Sequence, residues 1–521
     1  MPGPQPIAQI FCRYIEKQLP SHFQPGKGFI DAQARRETRS VVGSCASLDV
    51  SLLPGQTVKI GRDIQHNDIA IRHLYVSRQH FVFYSIEYEE GVRPLVYVRD
   101  YRSLGGTYVD NHSGRRAKVS PPAYLLSHND IIRIDPYWEF HVYLLGAQPM
   151  GSVMSPLRSS ETDLFRNRFL ITEQILGKGA LARVHLAVNL RTGQQVACKI
   201  HQLGSQLLKG SPDMVRRILD ESNILSRTTH PNILKFEAAF RSSDTLYTFT
   251  ELAAGGDLFS LRLKYPDGLP EMDTKIIIRQ ILDAIIYLHE QNVAHRDLKP
   301  ENVFLVTGPT HMTRVVVGDL GFARVASEGR MASLVGTRRF TAPEVLYRES
   351  YGTEVDIWSI GMISLFLAVI DWNGSGHFQV LDQHSVDEGL TNVFDDLSKR
   401  YKALSDYFEG FIRRCLVVEP AHRMTAAVSK DHSWFNSSKS QLEIQIKEFT
   451  KGWKPARIVH NSVEDLDLFE DTKTWELSST ISLSKRTLED VGKVEMSRHF
   501  AKGGVLKHKR QKTEERHPSP S

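Results

Sequence analysis

Residues 295–302 read HRDLKPEN and restrict the possible fold more than any other stretch of the chain. They follow an apolar run and place an acid, a cation and an amide close together. Phosphoryl transfer asks a protein mainly for positioning and charge stabilisation: a base for the accepting hydroxyl, a cation for the moving phosphoryl group and ligands for Mg²⁺. Asp297, Lys299 and Asn302 supply these groups in that order. The segment therefore predicts a catalytic loop, and the alternative interpretation is a solvated charged turn.

A glycine-rich segment lies upstream, at residues 176–184, and reads LGKGALARV. It fits the phosphate-binding pattern G-x-G-x-x-G-x-V except that Ala182 replaces the third glycine. The pattern gains weight because VACK follows at 196–199, where a strand lysine that grips phosphates is expected. Two glycines remain, and they still allow close approach of the backbone to phosphate.

Glu221 is expected on the apolar side of a helix that starts near Ser211, because Ile218 and Leu225 lie three positions before it and four after it. A buried carboxylate needs a cation, and Lys199 is the natural partner. The alternative is an ordinary surface glutamate.

Together these parts resemble a protein kinase domain, with a bilobal α+β fold over residues 169–435. The resemblance implies ATP and Mg²⁺ as cofactors, a hinge between the lobes at 251–257, and an ion pair between Glu344 and Arg423. Leu320 replaces the usual phenylalanine after the metal-binding Asp319. The implied catalytic residues are Asp297, Lys299, Lys199 and Glu221, the metal ligands are Asn302 and Asp319, and the ATP-binding residues are Leu176, Gly177, Lys178, Gly179, Val184, Lys199, Glu251, Ala253 and Asp257.

Short alternating and β-branched runs with turn residues between them predict an all-β sandwich over residues 40–147. Its loops resemble those of a forkhead-associated (FHA) domain, which reads phosphothreonine. The resemblance implies that Arg62, Ser77 and Arg78 contact phosphate and that His80 braces their loop. Gly105 stands where the family usually has an asparagine that holds the peptide backbone, so peptide grip or selectivity is expected to differ.

The remaining segments lack sustained periodicity. Residues 1–39 are expected to be a disordered arm, 148–168 a linker and 436–521 a flexible C-terminal tail. A basic cluster at 507–512 suggests a nuclear localisation signal, hence a nuclear protein, although a solvated tail is the alternative. The scattered cysteines favour a reducing compartment, and a net charge of +5 gives no argument for nucleic acid. We expect no direct nucleic-acid or membrane partner.

An FHA domain followed by such a kinase domain resembles the checkpoint-kinase-2 family, including its fungal DNA-damage and meiosis-specific members. The implied function is a Ser/Thr kinase recruited by a phosphothreonine-containing adaptor protein, acting on substrates with an upstream arginine. Ser205-Gln206 and Ser440-Gln441 are the two Ser-Gln sites, and neither lies in the N-terminal arm, which favours a specialised member such as the meiotic type.

Activation is expected to involve Ser333 and Thr337, which coincide with the two positions phosphorylated in that family. Arg330 precedes Ser333 by three residues, so the site fits the predicted preference of the enzyme itself and suggests phosphorylation between two associated molecules. Two alternatives remain open: a pseudokinase scaffold, and an active kinase in an unrelated phosphorylation-dependent pathway.

Overall fold

The computed structural model describes residues 5–15, 30–31, 47–88, 93–111, 114–146, 156–179, 181–205, 211–320, 324–325, 339–346, 352–369, 382–400, 404–455 and 463–465. Within these ranges no helix is both long enough and apolar enough to cross a membrane.

The N-terminal part is a sandwich of two sheets. Its strands are β1 (Ala8–Tyr14), β2 (Ile30–Asp31), β3 (Ser47–Leu52), β4 (Thr57–Gly61), β5 (Ile69–Ile71), β6 (Phe81–Ile86), β7 (Leu95–Asp100), β8 (Tyr108–Asp110), β9 (Arg116–Lys118), β10 (Tyr124–Leu125), β11 (Ile131–Ile134) and β12 (Trp138–Leu144). One sheet has the order β3-β1-β12-β11-β8-β9 and the other β10-β7-β6-β4-β5-β2. Aromatic side chains such as Phe81, Phe83 and Phe140 meet edge to face between the sheets and form the core.

Strand β1 corrects the prediction that residues 1–39 are a disordered arm. It lies between β3 and β12 and pairs with both of them in antiparallel register. Ala8, Ile10 and Cys12 alternate along the strand and are buried in the sandwich core. The Pro- and Gly-rich flanks concealed this short alternating pattern, which is enough for a strand once two neighbours are available to pair with it.

The smaller lobe of the predicted bilobal domain follows. Its elements are α1 (Pro156–Asp163), β13 (Phe169–Lys178), β14 (Ala182–Asn189), β15 (Gln195–Gln202), α2 (Pro212–Arg227), β16 (Phe236–Arg241) and β17 (Thr245–Glu251), and the strands form one sheet in the order β13-β14-β15-β17-β16.

Helix α1 corrects the prediction of a linker at 148–168. The buried Glu161 accepts hydrogen bonds from Ser242 and from the Tyr247 hydroxyl, the latter at 2.6 Å between oxygens. Phe165 stacks on Phe240 with ring centroids 4.6 Å apart, inside the core of the small lobe. The segment is therefore part of the lobe, because a carboxylate and an aromatic ring are both sequestered there.

The large lobe is mostly helical. Its elements are α3 (Leu258–Leu263), α4 (Glu271–Glu290), β18 (Val293–Ala294), β19 (Val303–Leu305), β20 (Val315–Val317), β21 (Arg324–Val325), α5 (Pro343–Leu346), α6 (Glu354–Ala368), α7 (Gln383–Arg400), α8 (Asp406–Cys415), α9 (Ala426–Lys430) and α10 (Ser433–Asn436), with short 3-10 turns at Pro300–Asn302 and Pro420–His422. Helices α4 and α6 run through the largest hydrophobic core of the protein.

Two further elements correct the prediction that the tail begins at residue 436. They are α11 (Lys439–Thr450) and β22 (Glu464–Asp465). Leu442 of α11 is buried in the large-lobe core, and β22 pairs in parallel with β16 at the edge of the small-lobe sheet. Glu464 also forms an ion pair with Arg168, with 2.7 Å between Nη1 and Oε1. Residues 466–521, with the basic cluster, lie outside the described residues.

The sandwich packs directly against the bilobal domain. Strand β6 is buried on both faces: Phe81 and Phe83 point into the sandwich core, while Val82, Tyr84 and Ile86 belong to a second apolar cluster. That cluster is shared with the bilobal domain, which contributes Leu186, Leu252 and Ala254. The continuous run FVFYSI is typical of a strand covered on both sides.

Candidate active site

The catalytic loop follows β18 and is organised by the carboxylate of Asp356, at the start of α6. The backbone N–H groups of His295 and Arg296 donate to its two oxygens at 2.9 and 2.8 Å. His289 Nε2 lies 2.8 Å from Oδ2. Burial alone would raise the pKa of Asp356, but His289 and the hydrogen bonds from the loop hold it below its usual value.

Sequence analysis did not identify Asp356 as a residue of the site. The available signal was a pair of carboxylates, Glu354 and Asp356, in the first turn of a helix that is mostly apolar beyond that turn. A buried carboxylate requires donors, and an irregular loop that must hold a fixed shape can provide them.

Three predicted site residues converge inside the loop. Lys299 Nζ lies 2.9 Å from Oδ2 of Asp297, and Asn302 Nδ2 donates to the same oxygen at 3.1 Å and to the Asp297 carbonyl at 2.8 Å. Two nitrogen atoms, one from Lys299 and one from Asn302, therefore donate to one oxygen of the Asp297 carboxylate. Because the amide nitrogen of Asn302 is used in this way, its oxygen is the atom left to face a cation.

Asp319 is brought to the loop by β20 and the residue after it. His295 Nε2 lies 3.1 Å from the Gly318 carbonyl oxygen, and the Gly318 N–H donates to the Asn302 carbonyl at 2.9 Å. Asp319 itself has a φ of 57°, a left-handed conformation that is uncommon for a residue with a side chain. Strained backbone of this kind persists where surrounding contacts impose it, often at functional sites.

Lys199 lies between two carboxylates. Its Nζ is 2.7 Å from Glu221 Oε1 on α2 and 3.0 Å from Asp319 Oδ1. Burial would lower the pKa of Lys199, but the carboxylates of Glu221 and Asp319 outweigh it and raise the pKa above its usual value. The small-lobe strand, helix α2 and the large-lobe aspartate are thus joined through one ammonium group.

The two carboxylates respond differently. The Lys199 ammonium holds the pKa of Asp319 well below its usual range. For Glu221, burial is the largest influence and raises the pKa to about 6 in spite of Lys199. Asp319 is therefore charged at every physiological pH, whereas the pKa of Glu221 is close to physiological pH.

The glycine-rich turn joins β13 to β14. A Cβ atom built on Gly177 meets nothing within 4 Å, and one built on Gly179 meets only the Ala182 carbonyl oxygen, at 3.6 Å. The Gly179 N–H donates to that oxygen at 2.8 Å, so Ala182 takes part through its backbone. The open space beside these glycines fits a phosphate chain. Leu176 and Val184 are half-buried on either side of the turn, and Lys178 is exposed.

The strip that joins the lobes contains the remaining residues that are predicted to bind ATP. The Glu251 side chain is used internally, because it accepts from Arg314 and from the Lys235 N–H. Asp257 caps helix α3 by accepting from the Ser260 N–H at 2.7 Å. Burial raises the pKa of Asp257 to about 6, against the hydrogen bonds from Ser260. Binding of ATP by Glu251, Ala253 and Asp257, with adenine on the backbone of Glu251 and Ala253 and ribose near Asp257, stays a prediction.

The residues fit a magnesium ion held together with a nucleotide. Among the described residues no group of three or more His, Cys, Asp or Glu side chains could hold a metal by itself. Mg²⁺ commonly takes one or two carboxylates and completes its shell with phosphate oxygens and water. Asp319 and the amide oxygen of Asn302 match that requirement, so the protein would hold the metal only through its substrate.

The activation segment is described at its two ends. Ser333 and Thr337 lie outside the described residues, and their role stays a prediction. Beyond them Glu344 and Arg423 form the predicted ion pair, with 2.6 Å between Oε1 and Nη1 and 3.0 Å between Oε2 and Nη2. Both side chains are buried, and the pair anchors α5 to the large lobe.

The sandwich presents the predicted phosphate-binding residues on adjacent loops. The Arg62 N–H donates to the Ser77 carbonyl at 2.8 Å, and both arginines, Arg62 and Arg78, are exposed. Gly61 is required here, since a Cβ atom on it would lie 2.3 Å from the Arg78 carbonyl oxygen. Buried His80 accepts from the Ser77 N–H through Nδ1 at 3.0 Å, which is the bracing position expected of it.

Two residues that sequence reasoning missed shape these loops. Asn67 Nδ2 donates to the Arg78 carbonyl at 2.7 Å. Asp100 accepts from the hydroxyls of Ser103 and Thr107, both at 2.6 Å, below the turn that carries Gly105. Short polar side chains that bond to nearby backbone or hydroxyl groups are typical of loops, and only the fold shows which ones meet.

Comparison with known proteins follows the same division. Residues 170–435 match the family described as protein kinase domain.

The chain belongs to the protein kinase family.

Residues 58–135 of the kinase match the FHA domain family, which confirms the predicted fold class for both domains. The kinase is 31% identical over 405 residues to the meiosis-specific serine/threonine-protein kinase mek1 of Schizosaccharomyces pombe, covering 74% of this chain and 83% of that protein. It is 28% identical over 428 residues to the meiosis-specific serine/threonine-protein kinase MEK1 of Saccharomyces cerevisiae, covering 76% and 83%.

A third relative matches the catalytic part. The calcium/calmodulin-dependent protein kinase type 1 of Macrobrachium nipponense is 32% identical over 277 residues, covering 52% of this chain and 76% of that protein. These similarities confirm that the kinase is a protein serine/threonine kinase with an FHA domain, of the checkpoint-kinase-2 type.

Proposed function

We propose that this kinase transfers phosphate from Mg²⁺-ATP to Ser and Thr residues of proteins to which its FHA domain recruits it by binding phosphothreonine, in the checkpoint signalling of meiosis or DNA damage. The observation that carries the catalytic part is the Lys199 ammonium, held between Glu221 and Asp319 beside a formed catalytic loop.

The side chains have separate tasks in this reaction. When bound, Mg²⁺-ATP supplies the phosphoryl group and the metal charge that offsets its oxygens. Asp297 orients the accepting hydroxyl and takes its proton, while Lys299, 2.9 Å from the Asp297 carboxylate, faces the developing negative charge. Lys199 binds phosphate oxygens, and Glu221 holds Lys199 in place.

The departures from the usual motifs do not favour a pseudokinase scaffold. Leu320 is buried in the large-lobe core, where it supplies the apolar packing of the residue it replaces. Ala182 contributes its carbonyl oxygen to the glycine-rich turn. Neither change removes a charged group from the site.

Phosphothreonine binding is supported by the loop geometry. Two exposed guanidinium groups and the half-buried Ser77 hydroxyl lie on loops that Gly61, Asn67 and His80 hold together. Charge-assisted hydrogen bonds from arginine to phosphate are among the strongest in proteins. The affinity of such a site depends on the phosphate, which makes recruitment conditional on an upstream kinase.

The pathway is proposed from the relatives. Two relatives that match about three quarters of the chain, 74% and 76%, are meiosis-specific serine/threonine-protein kinases. We propose a nuclear location on the basis of the cluster at 507–512.

Substrate preference and activation complete the proposal. Glu301 lies close enough to Asp257 to raise its pKa, and a buried oxygen of Glu301 has no protein partner among the described residues. This acidic pair favours arginine three residues before the target. Clustering on the phosphorylated adaptor would let one molecule phosphorylate Ser333 or Thr337 of another.

The first test uses the full chain, Mg²⁺, ATP and an Arg-containing Ser/Thr peptide library. We expect transfer to peptides with arginine three residues upstream, and loss of transfer by Asp297→Asn, with Asp163→Asn as a surface control. Transfer by Asp297→Asn at the wild-type rate would contradict the catalytic assignment.

The second test concerns recruitment. Arg62→Ala in the full chain should lose binding to a selected phosphothreonine peptide and keep activity on a short free peptide, whereas Arg115→Ala, with the same charge change in the turn between β8 and β9, should keep both. The third mixes Asp297→Asn protein with a trace of active enzyme. Absence of phosphate within residues 322–341 of the inactive protein would contradict activation in trans.

A further inference from the structure

Among the described residues, the FHA domain contacts the small lobe, the large lobe and the strip between the lobes. On the small lobe, Gln195 bonds the Leu125 backbone twice, at 2.7 and 2.9 Å. On the large lobe, Arg99 Nη1 donates to the Gly308 carbonyl at 2.7 Å. Between them the Tyr84 hydroxyl donates to the Ala254 carbonyl at 2.8 Å. The sandwich therefore spans both lobes and the connection between them.

The connecting strip is held along both edges of its backbone. On one edge, the N–H groups of Ala254 and Gly255 donate to the carbonyls of Val306 and Leu305, each at 2.9 Å. On the other edge, the Ala254 carbonyl takes its donor from Tyr84. The Tyr88 hydroxyl lies 3.4 Å from the carbonyl oxygen of Ala253, the neighbouring residue. The FHA domain thus fixes the peptide groups next to the position expected to bind adenine.

The tyrosines suit this task because they are sequestered. Tyr84 and Ala254 are fully buried, so removal of the hydroxyl would leave a carbonyl without water or donor. Burial raises the pKa of Tyr84 well above its usual value, and that of Tyr88 to about 12, so both hydroxyls keep their protons and can donate. Tyr84 also stacks on Tyr97 with ring centroids 5.4 Å apart, which fixes its ring.

Two glycines of the kinase allow the FHA domain to approach its backbone closely. A Cβ atom on Gly308 would lie 2.5 Å from the Tyr84 ring, and one on Gly256 would lie 3.0 Å from Cγ2 of Ile86. Leu252 and Leu186 close the apolar seam around these contacts. Such fit across both lobes would not arise from a tether that merely keeps two domains near each other.

We propose that the FHA domain is a positioning element of the nucleotide site, in which Tyr84, supported by Tyr88 and Arg99, holds the interlobe strip in the geometry that receives adenine. The inference rests on the proposed function, because it concerns ATP binding at that strip. Tyr84 is a positioning residue: it acts through the backbone of Ala253 and Ala254.

The test is Tyr84→Phe in the full chain, which removes one oxygen and keeps the ring. Its matched control is Tyr124→Phe, which removes a hydroxyl from a ring packed on the sandwich core. Arg99→Met tests the large-lobe contact separately. For each protein we would measure the KM for ATP, kcat on a short peptide, the Kd of a non-hydrolysable ATP analogue, the Kd of a phosphothreonine peptide and the melting temperature.

We expect Tyr84→Phe to raise the KM for ATP and the Kd of the analogue by about three- to tenfold, the range that one hydrogen bond supplies. Its kcat and its phosphopeptide affinity should stay within about twofold, as should every value for Tyr124→Phe. Arg99→Met should change the nucleotide affinity in the same direction.

Several results would overturn the inference. They are an unchanged analogue affinity in both Tyr84→Phe and Arg99→Met, a loss confined to kcat, or an equal effect of Tyr124→Phe. A wild-type protein that fails to bind the analogue would instead overturn the proposed function, and the inference with it. The wild-type measurement therefore separates the two failures.

Discussion

Lys199 Nζ lies 2.7 Å from Glu221 Oε1 and links the small-lobe sheet to helix α2. Because the pKa of Glu221 is raised to about 6, the ionised pair is present above that pH and is lost as the pH falls through it. We predict that kcat/KM for ATP falls below pH 6 in the wild type. Glu221→Gln should lower kcat/KM at pH 7.5 by at least about tenfold, or ~1.4 kcal/mol, and should remove this acidic limb of the profile.

The free energy of unfolding should change with pH in the opposite direction to activity as far as Glu221 is concerned: it should rise as the pH falls. Its pKa in the folded protein exceeds the usual 4.5, so the ionised form costs folding free energy, and this cost is relieved as the pH falls from about 6 towards 4.5. Loss of activity at pH 5.5 should therefore not reflect unfolding through this group, which circular dichroism at that pH would check. An acidic limb that persists in Glu221→Gln would assign the titration to another group, with Asp257, whose pKa is also about 6, as the first to examine.

Asp356 accepts hydrogen bonds from two backbone N–H groups of the catalytic loop. Its replacement should therefore disturb the shape of this loop more than the binding of ATP. We predict that Asp356→Asn lowers kcat by about 100-fold or more, since losing a buried acceptor for charge-assisted bonds costs about 1.5–3 kcal/mol for each bond. The KM for ATP should change by less than about threefold, because the glycine-rich turn and Lys199 are untouched. Asp163→Asn, which alters an exposed pair with Arg166, should leave both parameters unchanged.

Gly105 offers a gain-of-affinity experiment. A Cβ atom there meets only the Tyr75 carbonyl oxygen, at 3.9 Å, so the turn can accept a side chain. We predict that Gly105→Asn strengthens phosphothreonine-peptide binding by about two- to tenfold through one added hydrogen bond to the peptide backbone. Gly105→Ala should have no effect in the same calorimetric titration. Weaker binding by the asparagine variant would mean that the peptide passes too close to this turn for the larger residue.

The C-terminal strand β22 stabilises the small lobe, according to its pairing with β16. Val463 packs against the side of α2 that contains Ile218, and Glu464 is paired with Arg168. We predict that truncation after residue 455 lowers the free energy of unfolding by about 1–3 kcal/mol, from one partly buried valine and a partly exposed ion pair. Truncation after residue 466 is the matched control and should leave the unfolding transition unchanged.

The grouping of the charged residues in the candidate site was largely predictable from sequence, because phosphoryl transfer would require particular residue types at fixed spacing. Lys199, Glu221, Asp297, Asn302 and Asp319 were all identified as members of one site, and the structure places them together. The same holds for the fold class, since each domain carries its own motifs.

Prediction was weakest where a residue acts through a partner that is distant in the chain. The strand Ala8–Tyr14 forms only because β3 and β12 flank it. Glu161 lies in a segment that the sequence predicts to be a linker, and its hydrogen-bond donor, Tyr247, is far away along the sequence. Asp356 likewise has no local motif that reveals the loop it holds. Non-local burial and pairing decide such cases, and neither is encoded in a short window.

The double burial of β6 limits how the gene for this protein can be rearranged. In an FHA domain without a neighbouring domain, the outer face of this strand would be exposed to solvent and polar. In this protein the outer face carries Val82, Tyr84 and Ile86. An FHA domain taken from an unrelated protein would therefore not cover the apolar residues that the kinase contributes to this cluster. Either half expressed alone would expose an apolar seam and be prone to self-association. We therefore expect that exchange of either domain alone would leave one side of this apolar cluster without the residues that it packs against.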